Sequence, residues 1–384
     1  MKEYRFIFTY GFALFGMFFG AGNLAFPLAV GQVAAQYWIW EFLGLVMTGV
    51  ILPFLGLFVI ELHRGNYSSF FGGAGPFVKF FLPLLTLSLL GSFGAVPWCV
   101  TVAYESIHYV IPYLSKANFS FIFCGIVFFV CLKEQRVINA IGKWLTPALL
   151  IFIILLTIFG INHAKELKEI NPVAPSKLFF DGLILGYQTM DLLAAFFFSA
   201  LIFNQIKKTF PAKTSDADIM KMAIKSSIVA VLLLVGAYAG MAFLGANFSG
   251  LIENVKSTSI LITIANHIMG DYAALFVGIT MVIACFATTV ALNSIYTQYL
   301  CSLIKLDQER FKYVLLVTTV IAFLVSLFDF DEIAWILIPI LEITYPSLIA
   351  LTIIGIFVRK QTKFKVILFY GVLVIALLYE FIEI

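Results

Sequence analysis

Phe18-Phe19-Gly20-Ala21-Gly22-Asn23-Leu24-Ala25-Phe26-Pro27 lies near the middle of an apolar run over about 6–30. Glycine weakens a helix interior by about 1 kcal/mol relative to alanine. Pro27 removes a backbone donor four residues after Asn23. In lipid, freed backbone groups are costly unless they line a cavity or are buried in protein. This run is therefore expected to be a membrane span that breaks midway. A second stretch has the same character. Gly182-Leu183-Ile184-Leu185-Gly186-Tyr187-Gln188-Thr189-Met190-Asp191-Leu192-Leu193-Ala194-Ala195 starts apolar and runs into polar side chains ending in a carboxylate.

The rest of the chain supports a membrane setting. Of its 384 residues, 62% are hydrophobic and 12% charged, and the mean hydropathy is +1.04. A soluble domain carries roughly a quarter charged residues, so lipid must cover most of this surface. Eleven apolar stretches are expected to be helices: about 6–30, 38–60, 77–111, 119–132, 138–161, 179–203, 221–246, 272–302, 313–328, 333–358 and 364–382. The third is long enough to tilt or to begin in the interface. The mixed segment 247–271 is expected to form short helices over the outer mouth. With the N-terminus inside, inner segments hold nineteen lysines and arginines, and outer segments hold the other five of the 24: Lys116, Lys165, Lys168, Lys177 and Lys256. That bias supports the span count and a cytoplasmic N-terminus. The first stretch has no cleavage pattern and reads as a span, not a signal peptide.

Several function classes find no support. Cys99, Cys124, Cys131, Cys285 and Cys301 lie in apolar stretches without metal spacing and read as small core residues. His63, His108, His163 and His267 stand in no ligand spacing, and no serine sits in a GxSxG elbow. The glycines follow no strand, so a nucleotide fingerprint is a poor explanation. Aspartates among the lysines of 207–225 argue against nucleic-acid binding. No enzyme, cofactor or resident metal is expected.

Breaks in the first and sixth spans are what an inverted repeat of five plus five helices places in equivalent positions, and in transporters they point to the binding site. The half-helix beginning near Asn23 offers N–H groups and a positive dipole end to a carboxylate. The half-helix ending near Phe19 offers carbonyls to an ammonium or a metal cation. An amino-acid zwitterion has both charges. Helix packing is the plainer reading of small-xxx-small spacing. It is preferred for Gly236 and Gly240, and it competes at Gly16 and Gly20.

Individual candidates follow. The substrate carboxylate is assigned to the N–H groups of Ala21, Gly22 and Asn23 beside Gly20, with Tyr104 of the third span as a further donor or a plain core tyrosine. In the sixth span Gly186, Tyr187, Thr189 and Asp191 are candidates for substrate contact, and Phe19, Tyr187 and Phe196 for its apolar side chain. A coupling cation would meet Thr288 and Thr289, opposite carbonyls near Gly16 and Phe19, unless those hydroxyls bond back along their own helix. Asp191, Glu105 and Glu342 are intramembrane carboxylates and functional candidates by default. Asp191 either holds the break open or carries a proton. Glu105 with His108, and Glu41, Glu61 and Asp181, read as solvated or interfacial.

These residues resemble the branched-chain amino acid:cation symporter family, carriers of leucine, isoleucine and valine. The resemblance rests on Phe12-Ala13-Leu14-Phe15, Gly20-Ala21-Gly22-Asn23 and Phe26-Pro27 in the first span. In the sixth it rests on Gly186-Tyr187, Thr189-Met190-Asp191 and Leu193-Ala194-Ala195. Ala284-Cys285, Thr288 and Val290 carry it in the eighth, and Tyr345-Pro346 in the tenth. It implies an all-α polytopic membrane protein of about eleven transmembrane helices. The core would be the leucine-transporter-like (LeuT-like) five-plus-five inverted repeat of the amino acid–polyamine–organocation superfamily, with its site between spans one, three, six and eight. Residues 1–384 would then be a single transporter domain, with repeats at about 5–161 and 178–358 and an extra span at about 363–382. The chain departs from the family in having no twelfth span, and in Ala287 where a first threonine is usual.

The expected activity is symport of a branched-chain amino acid with Na+ or H+ by alternating access, in a bacterial inner membrane. The partners are substrate, coupling cation and lipid. A proton-coupled carrier of another neutral amino acid and a non-transporting scaffold or sensor are the alternatives. The coupling ion, the order among leucine, isoleucine and valine, and the oligomeric state stay open.

Overall fold

The computed structural model describes residues 2–108, 110–164, 167, 173–211, 214–253, 255, 260–306, 308–328, 330–358 and 363–383. Each of the eleven apolar stretches carries helix. The first is two helices, α1 (Lys2–Phe18) and α2 (Ala21–Ala34). The second is α3 (Trp38–Val46) and α4 (Leu52–Leu62), joined through a π-helical turn at Met47–Ile51. The short α5 (Tyr67–Phe71) precedes the third, which is α6 (Pro76–Leu90) and α7 (Ala95–His108). The fourth is α8 (Lys116–Cys131). The fifth is α9 (Glu134–Ala140), a second π-helical turn at Ile141–Leu145, and α10 (Thr146–His163). The sixth is α11 (Pro175–Gln188) and α12 (Asp191–Thr209), and the seventh α13 (Asp216–Asn247). Two short helices, α14 (Ser249–Ile252) and α15 (Ile260–Met269), lie within the mixed segment. The last four stretches are α16 (Ala273–Leu303), α17 (Phe311–Val325), α18 (Phe330–Phe357) and α19 (Lys363–Glu383). Lys165, Lys168, Lys213, Lys256, Arg359 and Lys360, which enter the charge bias, lie outside the described residues.

Among the described residues, six helices are long and apolar enough to cross a membrane, and the bent pair α11–α12 makes a seventh. Large apolar side chains stand exposed on the helices, including Phe121 of α8 at 70%, Leu232 of α13 at 67% and Ile375 of α19 at 67%. An apolar exterior of this extent belongs against acyl chains, because soluble monomers keep exposed apolar patches small.

Small residues set the closest helix contacts, as is usual where no hydrophobic effect separates helix from lipid. Gly44 of α3 and Gly182 of α11 lie back to back. A Cβ on Gly182 would overlap the Glu41 carbonyl, and one on Gly44 the Phe179 carbonyl. Gly31 of α2 and Gly245 of α13 repeat the arrangement between spans one and seven, against the carbonyls of Ala242 and Leu28. The packing expected of Gly236 is corrected: a Cβ there would meet nothing within 4 Å, whereas Gly240 packs on Thr157. One-turn spacing alone does not say which face meets a neighbour.

Three further expectations change. The third span, expected as one long helix, leaves the helical conformation at residues 91–94. Gly91 leaves room there for the Tyr296 ring, and the Ser92 hydroxyl donates to the Thr318 carbonyl at 2.7 Å. Glu41 and Glu61, expected at the interface, are 1% and 2% exposed. The Ser227 hydroxyl donates to Glu61 Oε1 at 2.8 Å.

Candidate functional site

Both midspan breaks are present. Phe19 and Gly20 lie outside helix. The Gly20 N–H, which a continuous helix would send to the Gly16 carbonyl, donates instead to the Phe18 carbonyl at 2.8 Å and to Asn23 Oδ1 at 3.2 Å. In the sixth span α11 and α12 meet at 52°. Met190 turns the corner in the left-handed conformation, with φ of 53°, a geometry that side chains resist by roughly 1–2 kcal/mol. The Thr189 hydroxyl closes the end of α11 by donating to the Gly186 carbonyl at 2.9 Å.

Four helix ends converge on this level. The N-termini of α2 and α12 present positive dipole ends, and the C-termini of α1 and α11 present negative ones. Asn23 ties them together. Its Nδ2 donates to Asp191 Oδ2 at 2.8 Å and to the Tyr238 hydroxyl, while its Oδ1 takes the Gly20 N–H. Both amide hydrogens and the carbonyl oxygen are therefore used. Asp191 is the first residue of α12, where a carboxylate complements the dipole.

Beside this junction is a cavity of about 340 Å³, near the lower end of the range for small-molecule sites. Gly20, Gly22, Asn23, Thr189, Asp191 and Thr288 contribute to its wall. The larger part is apolar, with Phe18, Phe26, Trp98, Leu193 and Phe198 foremost. Gln188 and Glu342 add polar groups from the sixth and tenth spans. On the eighth span, the Thr288 hydroxyl donates to the Met17 carbonyl at 3.1 Å, next to the first break.

The structure thus brings Gly20, Gly22, Asn23, Thr189, Asp191 and Thr288 to one cavity, with Ala21 between them at the first position of α2. It places other candidates elsewhere. Phe19 is fully buried, stacked on Phe15 with centroids 4.9 Å apart. Tyr187 packs edge-on against Tyr345 at 4.8 Å, and Phe196 sits in a cluster with Phe70 and Phe71. Tyr104 shares a hydrogen bond of 3.2 Å with His108 and does not line the cavity. Gly186 is pressed against Thr48 and Gly49, and Gly16 against Thr146. Thr289 is fully buried away from the cavity. Phe18, Phe26, Trp98 and Phe198 are wall residues that sequence reasoning missed. Trp98 lies six residues from Tyr104 in the same span, about 9 Å along a helix.

Solved structures place this arrangement among known folds. The chain is similar to a manganese transporter of Eremococcus coleocola, with a TM-score of 0.65 at 13% identity over 99% of this chain and 86% of that one. A Na+-coupled sialic acid symporter in its outward-open state gives 0.61 at 12%, covering 96% and 88%. Inward-facing Mhp1 gives 0.54 at 16%, covering 90% and 76%. The protein is a multi-pass membrane protein with the leucine-transporter-like fold, broken in its first and sixth spans.

Sequence relatives narrow the class. The branched-chain amino acid transport protein family model matches residues 3–383. The branched-chain amino acid permease BraB of Bacillus subtilis is 30% identical over 370 residues, 92% of this chain and 80% of that protein. A putative branched-chain amino acid carrier protein of Staphylococcus aureus is 28% identical over 362 residues, 90% and 80% of the two chains. The chain belongs to the branched-chain amino acid transport protein family.

Proposed function

We propose that this protein carries leucine, isoleucine and valine into the cell by symport with a cation, through alternating access at the junction of the two broken spans. The observation that carries this reading is the cavity itself. Its lining combines the start of one half-helix at Gly20, Gly22 and Asn23, the carboxylates Asp191 and Glu342, and a larger apolar part. The backbone N–H groups at Ala21 and Gly22, with Gly20 leaving the approach open, receive the substrate carboxylate. Phe26, Trp98 and Phe198 receive the aliphatic side chain. Thr288 and the carbonyls before the first break receive the coupling cation. In this reading residues 5–161 and 178–358 form the two repeats. The N-terminus lies in the cytoplasm of a bacterium, by the bias of lysine and arginine between the loops.

A neutral zwitterion moving with one cation carries net charge, so a membrane potential drives uptake by about 2.3 kcal/mol per 100 mV. The test is uptake of labelled leucine by vesicles holding the purified protein, under an imposed gradient. Accumulation in sodium that is lost in choline at fixed pH assigns sodium. Accumulation that survives choline and follows a pH gradient assigns protons. No accumulation of leucine, isoleucine or valine under either gradient overturns the reading.

A further inference from the structure

The cavity has a wall that neither broken span supplies. Leu341 and Glu342 of α18 line it together with the first-span residues Gly20 and Gly22. One turn further along, Tyr345 is fully buried with its ring against Tyr187, in the last turn of α11 before the sixth-span break. Positions 341, 342 and 345 share one face of the helix, so the face that bears Glu342 is seated on the break. Pro339 and Pro346 lie inside α18 on either side of Glu342. Each removes one helical hydrogen bond. This span is therefore weakened on both sides of its one cavity carboxylate.

The carboxylates of the cavity differ in what they do. Asp191 is tied across the two breaks through Asn23 and is the first residue of α12. Glu342 comes from a helix outside the Asn23 network. A zwitterion in a low-dielectric cavity needs an opposite charge at each end, since an ion left without one costs several kcal/mol. The N-terminus of α2 can meet the carboxylate end. For the ammonium, the ends of α1 and α11 offer only partial negative charge, and the carboxylates in the wall are Asp191 and Glu342.

We propose that Glu342 of the tenth span is the group that recognises the substrate ammonium, making the α-amino group a requirement for transport. The inference rests on the reading of this cavity as the amino-acid site. Asp191 then serves as the brace that positions the breaks, and Glu342 as the group that separates amino acids from carboxylic acids of the same shape.

The test compares the purified wild type with Glu342→Gln and Glu342→Asp in vesicles, for leucine and for 4-methylpentanoate, its analogue without the amino group. Wild type is expected to take up leucine and to be inhibited poorly by the analogue. Glu342→Gln is expected to raise the leucine KM at least about tenfold, the effect of one ordinary polar contact. It should leave inhibition by 4-methylpentanoate unchanged or stronger. Glu342→Asp, which keeps the charge, is expected to recover most of the loss. An unchanged leucine KM in Glu342→Gln overturns the assignment. So does equal loss in both variants, which would mark a role in shape. An unchanged KM with a lost pH dependence of uptake would also overturn it, by making Glu342 a proton carrier. Loss of leucine transport by wild type itself would strike the proposed function, so the two failures are distinguishable.

Discussion

Asn23 Nδ2 and Asp191 Oδ2 are 2.8 Å apart, although 168 residues separate them in the chain. This bond joins the start of one half-helix to the start of another. It fixes the spacing of two positive helix ends in the cavity wall. A hydrogen bond to a charged group contributes about 1.5–3 kcal/mol when buried, and part of that is expected here.

Asn23→Ala and Asp191→Ala are each expected to lower leucine uptake at least about tenfold and to reduce thermal stability in detergent. Because the residues act through one bond, the double variant should be less destabilised than the sum of the singles, with a coupling of about 0.5–3 kcal/mol. Unfolding midpoints of the four proteins give that cycle. Additive losses would mean that the two side chains act independently.

Thr288 and Thr289 are neighbours on α16 with different surroundings. The Thr288 hydroxyl reaches the Met17 carbonyl beside the break, and Thr289 is buried away from the cavity. Thr288→Val is therefore expected to raise the cation concentration for half-maximal uptake by about tenfold, the scale of 1.4 kcal/mol. Thr289→Val should leave that concentration unchanged. Cation titration of initial uptake rates separates them, and a reversed pattern would relocate the cation.

The two breaks were legible in the sequence because their causes are local. Gly20, Gly22 and Pro27 each act on the backbone within a turn of their own position. The polar run at Gln188-Thr189-Met190-Asp191 marks the second break by composition alone. The cavity wall was not legible in the same way. Phe26 and Phe198 line it, whereas Phe19 and Phe196 are packed into the interior. The choice among 42 phenylalanines depends on helix rotation, which is set by tertiary contacts. The third-span break shows the same limit. Residues 91–94 leave the helix where Gly91 meets Tyr296 and Ser92 meets Thr318, both more than 200 positions away.

Gly31 and Gly182 are contact points where backbone meets backbone, whereas Gly236 has open space. Gly31→Ala and Gly182→Ala are expected to destabilise the protein by about 1–3 kcal/mol, as overpacking usually does. Gly236→Ala should be neutral or slightly stabilising, since alanine favours helix over glycine. Thermal unfolding of the three purified variants checks this. A drop in Gly236→Ala alone would mean that the exposed face of α13 packs against something else.

Ala194 lies in the cavity wall, one position after Leu193 on α12 and close in sequence to Phe198. It is a small residue among large ones, so it leaves room where the aliphatic side chain of the substrate is placed. Ala194→Leu adds three carbons to that space. A single methylene in an apolar pocket changes discrimination by about 1–3 kcal/mol, or 10- to 200-fold. The variant is therefore expected to lose leucine at least about tenfold more than alanine, as measured by competition against labelled substrate with glycine, alanine, valine and leucine in turn. The order of the series locates the pocket. If bulk at position 194 is felt first by leucine and least by glycine, the side chain points toward α12. Equal loss across all four would put the obstruction on the amino-acid backbone instead and turn the substrate around in the cavity.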